Sequence, residues 1–331
     1  MKGHVLAIAI VCALITARGF AVGTPGLAAA YPRDVGIETD PAVLFTEQFE
    51  EADLATLFAR WTSTLPNTMS FGADVPSGSE LGSHSLTVPS TSTDTGGALF
   101  KGLSAYQTRM YVRFYIKYQS GDAPHHSGVW IGGEKVPTPP GPFFPDPHAG
   151  VRPCSLATCA GLGQTPWFWN SSEQQPDLQG GIFDSYTAFQ NMRTDGDGIN
   201  GTPYGNLLTN NLSLMIPDDT WTCVEHMIKV NTIGDTDGEL QIWVNGTSVS
   251  HLGKGFPTGT WNGGRFTQGA GSAFEGLQWR DDSAFGGLNW IWLQNYSDVL
   301  VTTVKFDHVV AATSYIGCLG DDTRRRIRFR V

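Results

Sequence analysis

The stretch 109–118 constrains the fold most. It reads Arg-Met-Tyr-Val-Arg-Phe-Tyr-Ile-Lys-Tyr. Met110, Val112, Phe114 and Ile116 alternate with Arg109, Tyr111, Arg113, Tyr115 and Lys117, and period two means a strand with one face in a core and the other polar and aromatic. The alternation returns at 223–231, where Val224, Ile228 and Val230 oppose Glu225, Met227, Lys229 and Asn231. It returns again at 240–245, where Leu240, Ile242 and Val244 oppose Gln241 and Trp243. Gly234-Asp235-Thr236-Asp237-Gly238 joins these two runs, so 221–246 is predicted to be a β-hairpin.

Further strands are expected at 85–89, 181–192, 288–294 and 301–312, and only 53–59 and 272–277 read as helical. With 40 Gly, 19 Pro and 16% charged residues, the chain lacks the Glu-, Lys- and Ala-rich segments of surface helices. The fold class is all-β, and no repeat or linker divides the body. The expected organisation is a leader at 1–21, an N-terminal segment at 22–40, one domain at 41–320 and an Arg-rich tail at 321–331. Within the domain, 132–180 reads as a long Pro-rich loop, ordered by Trp167-Phe168-Trp169.

Lys2 precedes an apolar run from Val5 to Thr16, the pattern of a cleaved secretory signal and too short for a membrane span. The mature protein is therefore expected outside the cytoplasm, with no membrane span, as a monomer. Cys12 leaves with the leader, and the other four cysteines are expected to pair as Cys154–Cys159 and Cys223–Cys318. A zinc site is the weaker reading, because neither Cys223 nor Cys318 has a neighbouring cysteine. The formal charge of −10 argues against nucleic acid as a partner. Arg324, Arg325, Arg326, Arg328 and Arg330 crowd the tail, which leaves the body more acidic still.

Segments 111–118 and His126-Ser-Gly-Val-Trp-Ile-Gly-Gly133 resemble jelly-roll polysaccharide lyases of the glucuronan and alginate lyase type, within the concanavalin A-like lectin/glucanase superfamily. The strand 181–193, the hairpin 221–246 and the closing Phe306-Asp-His-Val-Val-Ala-Ala-Thr313 with Tyr315-Ile-Gly317 agree in order. The resemblance implies two antiparallel sheets, a two-sheet jelly roll, with an anionic polysaccharide in a concave groove. Its lyase members cleave uronic-acid polymers by β-elimination without a required cofactor. That reaction needs a group to neutralise the carboxylate, a base for the C5 proton and an acid for the leaving oxygen.

On this reading Arg113 binds the carboxylate while Lys229 or Tyr115 moves the proton. Lys117, Tyr111, His126, Gln190, Arg193, Asn231, Trp243, Trp290 and Trp292 are the candidate substrate contacts. Trp290 and Trp292 share one face of a strand, as a sugar platform would require. Each candidate has a bland alternative: a solvated strand face for the cations, core packing for the tryptophans. Trp130 and Trp279 are further stacking candidates, His226 reads as a hydrogen-bonded core histidine and His308 as structural. Asp195, Asp197 and Asn200 offer alternating oxygen ligands for a structural calcium, or form a plain Gly/Asn turn.

Two other function classes compete. Non-catalytic glycan binding needs only aromatic platforms and amides. Glycoside hydrolysis needs paired carboxylates, for which only Glu225 and Glu275 stand out.

Overall fold

The computed structural model describes residues 26–66, 68–77, 82–90, 96–122, 126–135, 150–162, 165–175, 182–194, 203–208, 216–296 and 301–320. The leader, the calcium loop with Asp195, Asp197 and Asn200, His125 and the tail 321–331 lie outside these residues.

In chain order the strands begin with β1 (Val43–Glu47), β2 (Ser63–Leu65), β3 (Ser70–Gly72), β4 (Ser85–Pro89), β5 (Gly97–Gln107) and β6 (Arg109–Tyr118). They continue with β7 (Ser127–Glu134), β8 (Trp167–Gln175), β9 (Ile182–Ala188), β10 (Asn206–Leu207), β11 (Thr222–Lys229) and β12 (Glu239–Val244). The last six are β13 (Thr247–Leu252), β14 (Thr258–Asn262), β15 (Arg265–Gln268), β16 (Ser272–Ala273), β17 (Leu288–Asn295) and β18 (Thr303–Ala312). Two short helices accompany them, α1 (Leu54–Ala59) and α2 (Leu156–Leu162).

The strands form two sheets. An eight-stranded sheet runs β13-β12-β11-β6-β18-β4-β3, with β1 also paired to β18. A ten-stranded sheet runs β16-β14-β15-β10-β9-β8-β7-β17-β5-β2. Among the described strand pairs, only β10 with β15 is parallel. This is the all-β class expected from the alternating pattern, in the two-sheet jelly roll that the resemblance implies.

The alternation of β6 sends Met110, Val112, Phe114 and Ile116 inward, all fully buried, against Val129 and Ile131 of β7 and Ile291 and Leu293 of β17. Burying each such side chain contributes about 1.5–3 kcal/mol. A polar seam crosses this core. His226 Nδ1 meets Ser172 Oγ at 2.9 Å and Asn170 Nδ2 at 3.2 Å, while Thr187 Oγ1 donates to Asn170 Oδ1 at 2.8 Å. Burial pushes the His226 imidazole down to about 3, so it sits in the core neutral, with Nδ1 as acceptor.

Helix α1 starts where Asp53 Oδ1 accepts the Thr56 N–H at 2.8 Å, an N-cap that satisfies one orphan donor. The helix expected at 272–277 is absent: Ser272 and Ala273 pair with β14 as β16, and Gly276 at φ 90° interrupts any helical run. The expected loop 132–180 also needs correction. It contains α2 and β8, and β8 lies in the interior of the larger sheet between β7 and β9. Its Asn170-Ser-Ser-Glu173 core reads as loop because its inward residues bond His226 instead of being apolar. Both expected disulfides are present, with Cα–Cα distances of 5.2 Å for Cys154–Cys159 and 5.9 Å for Cys223–Cys318.

Candidate functional site

The predicted catalytic residues lie on the outer face of the eight-stranded sheet, and the chain's own terminal segments lie across two of them, Arg113 and Tyr115. Leu27 N donates to Tyr315 O at 3.0 Å and Ala28 N to Ile316 O at 2.8 Å, so residues near both ends of the described chain meet each other there. Glu225 of β11 anchors them, its two carboxylate oxygens accepting the Ile316 and Gly317 N–H groups at 2.8 Å each. Burial nonetheless pushes Glu225 up to about 7.

Arg113 is fully buried and pairs through Nη2 with Asp34, which also meets His308 Nδ1 at 3.0 Å. Burial raises the Asp34 carboxyl, but Arg113 and His308 outweigh it and hold it below the usual range. Tyr115 is 8% exposed, and its hydroxyl accepts the Leu319 N–H at 2.9 Å. Burial raises its pKa despite the neighbouring Arg113 charge, the opposite of what a general base needs. Arg113 and Tyr115 therefore fasten the terminal segments, and neither opens onto a groove.

Lys117, Lys305 and Lys229 on this sheet are also paired. Lys117 and Lys305 share Asp74 Oδ2 at 2.9 and 2.7 Å, and Trp221 Nε1 donates to Asp74 Oδ1 at 3.0 Å. Those hydrogen bonds pull Asp74 down to about 2 against the opposing effect of desolvation. Lys229 meets Glu239 Oε1 at 2.8 Å, and His251 takes the other oxygen at 2.9 Å. Tyr111 and Trp243 pack with Tyr315, centroids 6.4 and 5.0 Å away. Asn231 is used up by backbone: its Oδ1 accepts from Trp279 N and Arg280 N at 2.8 and 3.0 Å.

Gln190 donates to Cys154 O and Asp281 Oδ1 at 3.2 and 3.1 Å. Arg193 bonds Glu275 at 2.9 Å and lies over the Trp261 ring at 5.1 Å, beside a surface depression of about 620 Å³. Glu275 is thus far from Glu225, and that carboxylate pair does not assemble.

The outer face of the ten-stranded sheet is different. The cross-strand pairs Trp292↔Trp130, Trp130↔Ser171, Gly132↔Trp169 and Glu173↔Asp184 put these side chains on one face, since directly opposed residues point the same way. Trp130 lies 4.6 Å from Trp169 and 5.2 Å from Trp292, centroid to centroid. Trp290 spreads over Gly132, where a Cβ would come within 2.3 Å of the indole ring. Only glycine there lets the ring come so close to the backbone.

Beside this tryptophan floor sits a polar group. His126 Nδ1 meets Glu173 Oε1 at 2.9 Å, and Ser171 Oγ donates to Glu173 Oε2 at 2.6 Å. The His126 ring stacks on Tyr186 at 5.0 Å, and Tyr186 lies 5.3 Å from Trp169. Asp184 stands directly opposite Glu173 and accepts the Ser185 N–H at 2.6 Å. Gln294 Nε2 reaches His126 O at 3.3 Å. The structure thus brings together His126, Trp290 and Trp292 from the candidates, with Trp130, and sets the remaining described ones elsewhere.

Sequence reasoning missed Trp169, Glu173, Asp184 and Tyr186. The period-two run Trp167, Trp169, Ser171, Glu173 was a signal for them, hidden by the surrounding prolines. The floor is enclosed: Trp130 and Trp290 are each 3% exposed, and their indole N–H groups find no acceptor among the described residues. Buried indole donors ordinarily do. No cluster of three or more His, Cys, Asp or Glu side chains suited to a metal occurs among the described residues.

No protein-family model and no curated protein sequence matches the chain. Among solved structures, the alginate lyase Aly36B is similar over 84% of this chain and 99% of its own, at 14% identity and a TM-score of 0.48. The marine PL-14 alginate lyase from Aplysia kurodai is similar over 82% and 99%, at 12% identity and 0.49. The endo-β-1,4-glucuronan lyase from the fungus Trichoderma reesei is similar over 82% and 95%, at 11% identity and 0.44. These three neighbours are two alginate lyases and a glucuronan lyase.

Proposed function

We propose that the chain binds a polysaccharide on the outer face of its ten-stranded sheet, over the floor made by Trp130, Trp169, Trp290 and Trp292. The unmatched indole donors of Trp130 and Trp290 carry this reading. A buried donor without an acceptor costs about 1–3 kcal/mol, and a sugar that displaces what encloses the floor supplies hydroxyl acceptors while its C–H faces cover the rings. His126, Glu173 and Gln294 add polar contacts at one end of the floor.

Cleavage of a uronic-acid polymer by β-elimination is the second reading, favoured by the stack of His126 on Tyr186, two groups able to take and return a proton. It requires a cation or an amide beside the sugar carboxylate. Arg113, the cation the sequence offered for that task, is on the other sheet and paired with Asp34.

Isothermal titration against neutral glucans, alginate and glucuronan, with ultraviolet absorbance followed in parallel, separates the readings. Binding without absorbance change is the expected result. Absorbance of an unsaturated product establishes the lyase reading, and no binding to any polymer rejects the proposed function.

A further inference from the structure

The depression beside Arg193 lies apart from the tryptophan floor. Its walls come largely from β14, β15 and β16, at one end of the ten-stranded sheet. Leu207 pairs with both Tyr186 and Arg265, and Arg265 with Asn262, so these four side chains share the outer side of the sheet. Trp261 and Phe266 are the next positions on their strands and point to the inner side. Gln268 shares the parity of Phe266, and its Nε2 donates to Ser250 Oγ of β13 at 2.9 Å, across the rim of the sandwich.

Three side chains are fastened together there. Glu275 Oε1 accepts from Arg193 Nε and Nη2 at 3.2 and 2.9 Å, Glu275 Oε2 accepts from Trp261 Nε1 at 3.1 Å, and the Arg193 guanidinium lies over the Trp261 ring. The backbone holds the group from both flanks: Arg193 N donates to Asn206 Oδ1 at 2.8 Å, and Thr236 Oγ1 donates to Glu275 O at 2.7 Å. The Arg193 and Glu275 side chains are nonetheless 51% and 38% exposed. Exposed ion pairs contribute little to stability, so folding does not account for so fixed an arrangement. The hollow persists because Gly259 and Gly271 line it without side chains, and a Cβ on Gly271 would come within 2.0 Å of Gly259 O. Its volume of about 620 Å³ falls within the roughly 300–1,000 Å³ of small-molecule pockets.

From this we infer that the depression is a second carbohydrate site, distinct from the tryptophan floor, which takes one or two rings of a neutral sugar. Arg193 Nη1 has no partner among the described residues, and Glu275 Oε2 keeps a lone pair beyond its bond to Trp261. A donor and an acceptor thus stand side by side with their charges cancelled. Neighbouring hydroxyls of a sugar match that pattern, one accepting from Arg193 and the other donating to Glu275. Ser272, directly opposite Gly259, adds an exposed hydroxyl, and the partly exposed Trp261 ring gives the sugar's C–H surface an apolar wall. The inference goes beyond the proposed glycan-binding face and does not depend on it.

The test follows the indole N–H resonances of the intact chain by NMR during titration with glucose, galactose, mannose, cellobiose, glucuronate and glucosamine, with Trp261→Phe identifying the Trp261 signal. At least one neutral sugar is expected to shift that signal saturably, with a roughly millimolar dissociation constant for a few hydrogen bonds in an open site. Glu275→Gln is expected to weaken this binding about tenfold, because it removes a charged acceptor and the group that orients Arg193. Trp130→Phe, on the floor, should leave it unchanged, and glucuronate and glucosamine should bind more weakly than glucose. Should Glu275→Gln fold poorly, the charged and neutral sugars compared on the parent protein decide the matter. No saturable shift with any neutral sugar, undiminished binding by folded Glu275→Gln, loss of binding in Trp130→Phe, or tighter binding of glucuronate or glucosamine than of glucose overturns the inference. Failure of polymers to bind rejects the proposed function and leaves this site standing.

Discussion

The two sheets share a core and have opposite outer faces. That of the eight-stranded sheet holds Arg113, Tyr115, Lys117 and Lys229, the groups that look reactive in the sequence, and each is consumed by a partner: Asp34, Leu319 N, Asp74 and Glu239. That of the ten-stranded sheet holds aromatic rings and two opposed acids, with buried indole N–H groups that lack acceptors among the described residues. A conspicuous charged side chain is therefore a poor guide to a binding face when the chain carries its own counter-charges. Unmet hydrogen-bonding capacity is the better guide.

The largest effect expected from breaking this contrast comes from replacing both Cys223 and Cys318 by Ser. The bond spans 95 residues, and a closed loop of roughly 100 contributes about 4.7 kcal/mol in the chain-entropy account. Urea denaturation should show a loss of that order, with glycan binding by the remaining folded protein unchanged.

Arg113→Ala should cost about 3–5 kcal/mol, because Asp34 is left charged and buried. The double replacement Arg113→Met with Asp34→Leu should recover much of that stability. Full retention of stability by Arg113→Ala would mean that this face is open and the contrast false.

A pH effect of intermediate size follows from Asp307, which burial pushes up to about 8 from an ordinary value near 3.8. Between those values the unfolded chain has released a proton that the folded chain keeps. Asp307 therefore contributes stability that is present at low pH and lost as pH rises toward about 8. Asp307→Asn should remove that share of the decline in thermal midpoint across the window, and an unchanged profile would assign the decline to other groups.

The smallest effect is expected on the opposite face. Trp130→Phe removes an N–H that has no acceptor among the described residues, which offsets much of the packing lost by the smaller ring, so the free protein should change by less than about 2 kcal/mol. Glycan affinity should fall by up to about tenfold, the equivalent of one hydrogen bond. Unchanged affinity would show that this donor does not meet the sugar.

Much of the fold was legible because alternation fixes side-chain direction regardless of what lies beyond the sheet. The strand 109–118 and the hairpin 221–246 emerge with the expected inward residues, and Asp53 marks the start of α1. Direction does not reveal what covers a face. Arg113 and Tyr115 point away from the core as the pattern requires, yet Asp34 and Leu319, 79 and 204 residues distant in sequence, meet them there. Long-range contacts of this kind leave no local trace. β8 escaped for a different reason: its inward Asn170 and Ser172 serve His226 of the facing sheet, so neither side of the strand looks apolar. The cross-strand acids were invisible because their encounter depends on the β8–β9 register.

Gly26 and Gly320 both lie where the terminal segments cross the eight-stranded sheet: a Cβ on Gly26 would come within 2.2 Å of Ile316 O, and one on Gly320 would lie 3.9 Å from Ala28 O. Both residues therefore lie on the side opposite the tryptophan floor. A tag, carrier domain or solid support joined directly to Gly26 or Gly320 would therefore hold the protein from behind and present the aromatic face outward. Immobilised this way, every molecule would be displayed in one orientation, and the captured polymer would never have to pass the point of attachment.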